Sequence, residues 1–487
     1  MRNKDWIGAA VGLALCSSGL TACSGRDQSA ANGARQTAGQ SLSWTRQTQH
    51  QLLDAIAKAP ANGLNPDLFL AGDLPKDDAQ RFTVLTEAAL KYAEALAHGY
   101  ADPRKISDVY TIPRPDADLR TGLAQAIRDG HVDQWLDTLP PQTEEYRRLS
   151  DAHVAYLKMA TGTPFQQIPA GKPIKPGSSD PRVPAVVAAL RAVNYLPPAQ
   201  PNAAPEARYG GAIVASVKQL QADFGIKADG IVGDSTRDAL NLGPGGRARQ
   251  LAIALERLRW LQRDPPRTRI DVNTAAAFLD YFRDGAQVDR RAVIAGEPDK
   301  ATPQLQASFF DLVANPKWRV PDSIGEDEIS TKSAAWLSAN QFIREDGRWV
   351  QQSGPKNSLG LVKLDLDDPQ QIYLHDTPFK ALFADTERHR SHGCVRVANA
   401  VEFAGMLAQQ DGVFDRFQDA MASGDETHVR LKTKIPVRLL YHTTYWDGSR
   451  VQFRPDVYGW DDDVGRVLGL VRGPERPSLQ KSEDVGP

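Results

Sequence analysis

Hydrophobic periodicity changes character once along this 487-residue chain, and that change limits the folds open to it. Phe82, Leu85, Ala89, Tyr92 and Leu96 recur at spacings of three and four, one face of a helix. Val183, Val187, Leu190 and Val193 trace a second such face, and Ile213, Val217, Leu220 and Phe224 a third. From about Arg267 the pattern becomes alternation. Arg269 to Asn273 reads as a strand, and Ala277 to Arg283 with Gln287 to Ala295 reads as a hairpin whose Asp284-Gly285 turn tolerates positive φ. Leu361–Leu366, Gln371–His375 and Pro436–Tyr441 also read as strands, with helices over Val401–Gln409 and Val413–Ala422 on their flank. The fold class is multidomain α+β: helical first, mostly β afterwards. The length fits about three domains.

The ends carry their own signals. Met1-Arg2-Asn3-Lys4 is basic, and Ile7 to Cys16 is apolar but too short to span a membrane, so residues 1–23 read as a secretory signal. Leu20-Thr21-Ala22-Cys23 looks like a bacterial lipobox, which makes Cys23 the acylated first residue of the mature protein; the bland alternative is a plain signal peptide. Ser24 rather than Asp after it favours the outer membrane, in the periplasm. Residues 24–42 are Ser-, Ala-, Gln- and Gly-rich, too polar to bury a core, and read as a tether. The polar tail 473–487 reads as disordered. Basic and acidic residues balance, 58 against 60, with no basic block, so nucleic acid is not an expected partner. Gly171 to Asp180 is rich in Gly, Pro and Ser and marks a boundary.

The chain holds three cysteines: Cys16, Cys23 and Cys394. With Cys23 lipidated, no internal disulfide can form, and Cys394 is an unpaired thiol. It sits in Ser391-His392-Gly393-Cys394-Val395-Arg396, two residues after His392 and 19 after His375. A thiol works as a nucleophile when a base takes its proton, and a neighbouring imidazolium lowers its pKa. His375 ends an expected strand, so its ring is held rigidly. Gly393 lets the backbone approach a carbonyl, making the N–H groups of Gly393 and Cys394 candidate oxyanion donors. Arg396 offers a planar fork for a carboxylate. Spacing alone leaves open which histidine is the base. A metal site is the competing reading, but His392-x-Cys394 is tighter than usual zinc pairs and no second Cys pair exists. No metal and no cofactor are therefore expected.

Two resemblances follow from these residues. Val217-Lys218-Gln219-Leu220-Gln221, Phe224-Gly225-Ile226, Asp229-Gly230-Ile231-Val232-Gly233, Thr236 and Ala239-Leu240-Asn241 resemble the three-helix peptidoglycan-binding domain, with Asp234 or Ser235 capping its last helix. The thiol motif resembles the catalytic signature of the L,D-transpeptidase family. Gly296-Glu297-Pro298-Asp299, Asn315-Pro316-Lys317-Trp318, Gly354-Pro355-Lys356-Asn357 and Tyr373-Leu374-His375-Asp376 extend that likeness to the large multidomain type. The resemblance implies a helical scaffold over 43–165, a peptidoglycan-binding domain over 181–243 and a catalytic domain over 250–468, with 321–354 as a lid. Gln351-Gln352-Ser353 stands where prolines are expected, which affects the lid alone.

By the same resemblance Cys394 is the nucleophile, His375 the base, and His392 and Gly393 shape the oxyanion site. Arg396, Tyr373, Arg388, Ser391 and Asp376 contact substrate or orient the base. The implied reaction is acyl transfer from a tetrapeptide stem, with release of D-Ala, to the side-chain amine of another stem, giving 3-3 cross-links in the cell wall. It also implies acylation by carbapenems. Partners are peptidoglycan stem peptides and the membrane through Cys23, with room for other wall-synthesis enzymes. Two alternatives stand: a cysteine hydrolase passing the acyl group to water, and a non-catalytic wall-binding lipoprotein.

Overall fold

The computed structural model describes residues 43–162, 165–199, 208–471 and 486. The expected signal segment with Cys23, the tether up to Leu42, and residues 473–485 and 487 of the expected tail lie outside the described residues.

The first region is helical: α1 (Arg46–Ala57), α2 (Asp78–His98), α3 (Leu119–Asp129), α4 (Val132–Thr138) and α5 (Glu144–Ala160). Thr45, Asp77, Asp118 and Thr143 each accept an N–H bond at a helix start, which stabilises a helix by about 1 kcal/mol. On α2, Leu85, Ala89, Tyr92 and Leu96 are buried as their spacing predicts. The next region holds α6 (Val183–Ala192), α7 (Gly211–Asp223) and α8 (Asp234–Asn241). The Asp229-Gly230 turn has Gly230 at φ +77. Buried Gln221 locks it, accepting from the Gly230 N–H at 2.8 Å and donating to Asp229 Oδ1 at 3.1 Å. No side chain caps α8; Asp234, expected there, lies in the first turn and Gly233 takes the cap position. The stretch expected as a boundary is tied down, with Ile174 bridging Val232 and Ser179 bridging Arg208.

A single buried helix, α9 (Gly243–Arg259), joins these regions to the rest, so no linker falls between 243 and 250. The Arg247 guanidinium lies over the rings of Tyr156 (5.7 Å), Tyr195 (5.3 Å), Phe224 (4.8 Å) and Phe453 (5.4 Å), one cation shared by all three regions. Farther along, Arg257 pairs with Asp461, both about 2% exposed.

The β region contains β1 (Arg269–Asn273), β2 (Phe278–Arg283), β3 (Ala286–Gly296), β4 (Leu305–Ala314), β5 (Trp318–Arg319), β6 (Phe342–Glu345), β7 (Arg348–Gln351), β8 (Val362–Leu366), β9 (Leu374–His375), β10 (His389–Ser391), β11 (Val395–Val397), β12 (Thr427–Leu440), β13 (Thr444–Trp446) and β14 (Val451–Phe453). Nine of them form one sheet in the order β10-β3-β11-β9-β8-β4-β12-β1-β2, and β2 also pairs with β3, so the sheet closes on itself. Its core is apolar: Ile270, Val272, Leu279, Phe309, Leu312, Val395, Val437 and Leu439. Two helices, α10 (Ala400–Gln410) and α11 (Phe414–Ser423), cover it with Phe403, Leu407 and Phe417. Asp284 (φ +54) and Gly285 (φ +90) turn the β2–β3 hairpin as its sequence predicts. The strand expected over Gln371–His375 shortens to Leu374–His375, because Gln371 takes φ +57 and leaves the ladder.

Between β5 and β7 the expected lid segment folds on a small core of its own. Trp318, Val320, Ile324, Ile329 and Phe342 pack together, with Tyr373 of the neighbouring sheet against them. Gln351 explains how this segment does without prolines. It is buried, donates to Asn340 O and Lys356 O at 3.1 and 2.9 Å, and accepts from the Ser358 N–H at 2.8 Å. Among the described residues no helix is long and apolar enough to cross a membrane.

Candidate active site

Cys394 occupies the turn between β10 and β11. Strand β11 runs parallel to β9, pairing Val395 with Leu374 and Arg396 with His375. The Val395 N–H donates to Tyr373 O at 3.1 Å. This register gathers Tyr373, His375, Cys394 and Arg396, all on adjoining strand ends. Gly393 has φ +113, a backbone state that strains any side chain, so the turn that presents the thiol depends on glycine.

His375 is fully buried, and its Nδ1 lies 2.5 Å from Asp376 O. A carbonyl can only accept, so Nδ1 carries the proton and Nε2 holds the lone pair. Among the described residues Nε2 has no hydrogen-bond partner, which leaves a buried lone pair. Cys394 Sγ points toward Gln371 O at 3.9 Å. The Tyr373 side chain also hydrogen-bonds the thiol.

The electrostatics differ from the expected thiolate–imidazolium pair. Burial pushes the Cys394 thiol up to about 11, against the pull of Tyr373, Arg396 and Lys363. Burial, joined by the Arg396 charge, pushes His375 down to about 3, and its bond to Asp376 O opposes this only in part. In a dry site neither charged partner is solvated, so the resting pair is neutral thiol and neutral imidazole. Desolvation also raises the Tyr373 hydroxyl well above its ordinary value, and the neighbouring thiol adds to it.

His392 plays a different part. Its Nε2 lies 2.5 Å from Glu328 Oε1, on the segment between β5 and β7, and Lys300 Nζ reaches the same oxygen at 3.1 Å. Burial alone would raise the Glu328 carboxyl, but His392 and Lys300 outweigh it and hold it below the usual range. Glu328 therefore latches the overlying segment to the thiol motif.

Other expected site residues are used structurally. The Gly393 N–H donates to Ser391 Oγ at 3.2 Å and so is committed inside the motif rather than free for an oxyanion. No hydrogen bond among the described residues uses the Cys394 N–H. Ser391 is fully buried and donates to Cys394 O at 2.5 Å, which shapes the turn and leaves it nothing to offer a substrate. Arg388 spends its guanidinium on the carbonyls of Val293 (3.1 Å), Asp385 (2.8 Å) and Ala277 (2.9 Å), so it is a strut. The Asp376 carboxylate accepts from the Leu361 N–H at 3.0 Å and pairs with Lys380. Gly486, in the tail expected to be disordered, is buried beside Arg396 and Ser358, where an added Cβ would stand 3.1 Å from the guanidinium.

Two contributors escape a reading of the sequence. Glu328 lies 64 residues before His392, in a stretch whose polarity marks nothing. Lys363 lies across the sheet from His375, its Nζ 5.2 Å from the Tyr373 ring centre. Only an alternating strand pattern in Leu361–Leu366 hinted that a side chain there shared a face with the site.

Residues 267–435 match the family model for the L,D-transpeptidase catalytic domain. Residues 36–152 match the model of a scaffold domain, and residues 179–240 that of a peptidoglycan-binding domain. A candidate L,D-transpeptidase of Haemophilus influenzae is 27% identical over 219 residues, 40% of this chain and 45% of that protein. The match thus spans less than half of the relative's length. Among solved structures, an L,D-transpeptidase from Stackebrandtia nassauensis is 12% identical, covering 57% of this chain and 97% of that one with a TM-score of 0.22. One from Xylanimonas cellulosilytica is 16% identical, covering 57% and 100% with a TM-score of 0.17. The sequence motifs and the family matches converge: residues 267–435 match an L,D-transpeptidase catalytic domain, and the regions before them match a scaffold domain and a peptidoglycan-binding domain.

Proposed function

We propose that this protein forms 3-3 cross-links in peptidoglycan by acyl transfer through Cys394. The observation that carries the reading is the strand register that sets the buried Cys394 thiol beside His375, whose tautomer is fixed by Asp376 O. As Sγ attacks the carbonyl carbon of the L,D bond before the terminal D-Ala, His375 Nε2 takes the thiol proton. The C–N bond then breaks, and His375 gives that proton to the departing D-Ala amine. The side-chain amine of a second stem attacks the thioester, loses a proton to His375, and the thiol is restored. The Cys394 N–H serves the oxyanion of both tetrahedral intermediates. Arg396, beside His375 in the register, takes a stem carboxylate. His392 stays tied to Glu328 and acts through the covering segment.

Exclusion of water supports transfer over hydrolysis: Cys394 is only 7% exposed. In this reading Cys23 bears the lipid, the anchor lies in the outer membrane, and the enzyme works in the periplasm with the peptidoglycan-binding domain holding its substrate.

Mass spectrometry of the protein incubated with a carbapenem tests the nucleophile. A covalent adduct on Cys394, absent in Cys394→Ala, is expected. Muropeptide analysis tests the product. Dimers lost in Cys394→Ala are expected; tripeptides without dimers would assign a carboxypeptidase, and dimers unchanged in Cys394→Ala would leave only wall binding.

A further inference from the structure

On the closed sheet, three strands bring together residues that no motif connects. Asp311 on β4 pairs across the strands with Asp365 on β8, and His428 on β12 lies on the neighbouring strand, two residues before Arg430, the register partner of Asp311. One ligand atom from each of Asp311, Asp365 and His428 falls within 4.8 Å of the others. His428 Nδ1 is 2.6 Å from Asp311 Oδ2.

The other oxygen of Asp311 makes this more than a surface acid cluster. Asp311 is only 5% exposed, and its Oδ1 is buried with no hydrogen-bond partner among the described residues. A buried carboxylate oxygen without a partner is costly, and cations remove that cost. The basic side chains nearby do not fill the role. Arg430 turns onto the Phe310 ring (5.5 Å), as does Lys434 (5.8 Å). Lys363 Nζ engages Asp365 Oδ1 at 2.7 Å, not Asp311. The unusual placement has a local cause: a register shift between Phe309 and Asp311 turns the Asp311 side chain out of its regular alternation.

We propose that Asp311, Asp365 and His428 bind a divalent zinc ion. Two carboxylate oxygens and one imidazole nitrogen form a borderline-hard donor set that suits it. His428 is half-exposed, which leaves an entry path and open positions for water. The ion ties β4, β8 and β12 together, on the strand whose Lys363 lies over Tyr373 beside the thiol. The site is separate from Cys394.

The test uses the full chain with Cys394→Ser, so that the thiol cannot take the metal, stripped with chelator and titrated with zinc chloride by calorimetry. One zinc per chain is expected, with affinity falling at least tenfold in His428→Gln and in Asp311→Asn. Zinc is also expected to raise the melting temperature of the parent and not of His428→Gln, which alters an exposed side chain and keeps the fold. Absence of stoichiometric zinc, or equal affinity in His428→Gln, overturns the proposal.

Discussion

Replacing Glu328 with Gln isolates the latch between the covering segment and the thiol motif. Glutamine keeps the length and one acceptor oxygen but removes the charge that His392 Nε2 (2.5 Å) and Lys300 Nζ (3.1 Å) share. A hydrogen bond to a charged group stabilises by about 1.5–3 kcal/mol and a neutral one by about 0.5–1.5 kcal/mol. The difference is about 1 kcal/mol for the His392 bond. Lys300 is 40% exposed, so its ion pair adds little beyond that. About 1 kcal/mol moves the closed-to-open ratio of the segment about fivefold. Because Cys394 is 7% exposed and its motif is tied to this segment through His392, alkylation by iodoacetamide is expected to report the open fraction. Adduct formation at pH 8, followed by mass, is expected to run about fivefold faster in Glu328→Gln at an unchanged melting temperature. An unchanged or slower rate refutes the latch.

Gly393→Ala meets no atom closer than 3.7 Å, so its cost is conformational, about 1–3 kcal/mol at φ +113. The turn is expected to relax, abolishing carbapenem acylation while the melting temperature moves little. Arg257→Met leaves Asp461 buried without its counter-charge and is expected to cost about 3–5 kcal/mol, read as a lower urea midpoint. Burial lowers His375 and His442 to about 3. Below about pH 6.5 the unfolded chain binds protons that the native state refuses, so stability is expected to fall steadily from there toward pH 3. His442→Gln flattens that slope in thermal melts, and a slope equal to the parent's contradicts the assignment.

Local signals in the sequence specify much of this fold. Helical spacing on α2 and α7, the Asp284-Gly285 turn and the alternation of β1 and β8 depend on residues within one element. The thiol motif was also local, which is why Cys394 and its neighbours stood out. Misreadings came where a side chain's use depends on a distant partner. Arg388 looked like a substrate reader, but carbonyls of Ala277 and Val293, about a hundred residues earlier, consume its donors.

The amino-acid sequence by itself determined the order of helical and β regions, the solitary thiol and the two histidines that could serve it, because these follow from periodicity, composition and short spacing. Tertiary structure decided the state and the division of labour. Burial, not spacing, makes the thiol and imidazole neutral at rest, and a carbonyl at 2.5 Å fixes which nitrogen of His375 is basic. Strand register places Lys363 opposite His375 and Asp311 opposite Asp365. These are contacts between residues far apart in the chain, set by which strands lie side by side, and no local pattern encodes them.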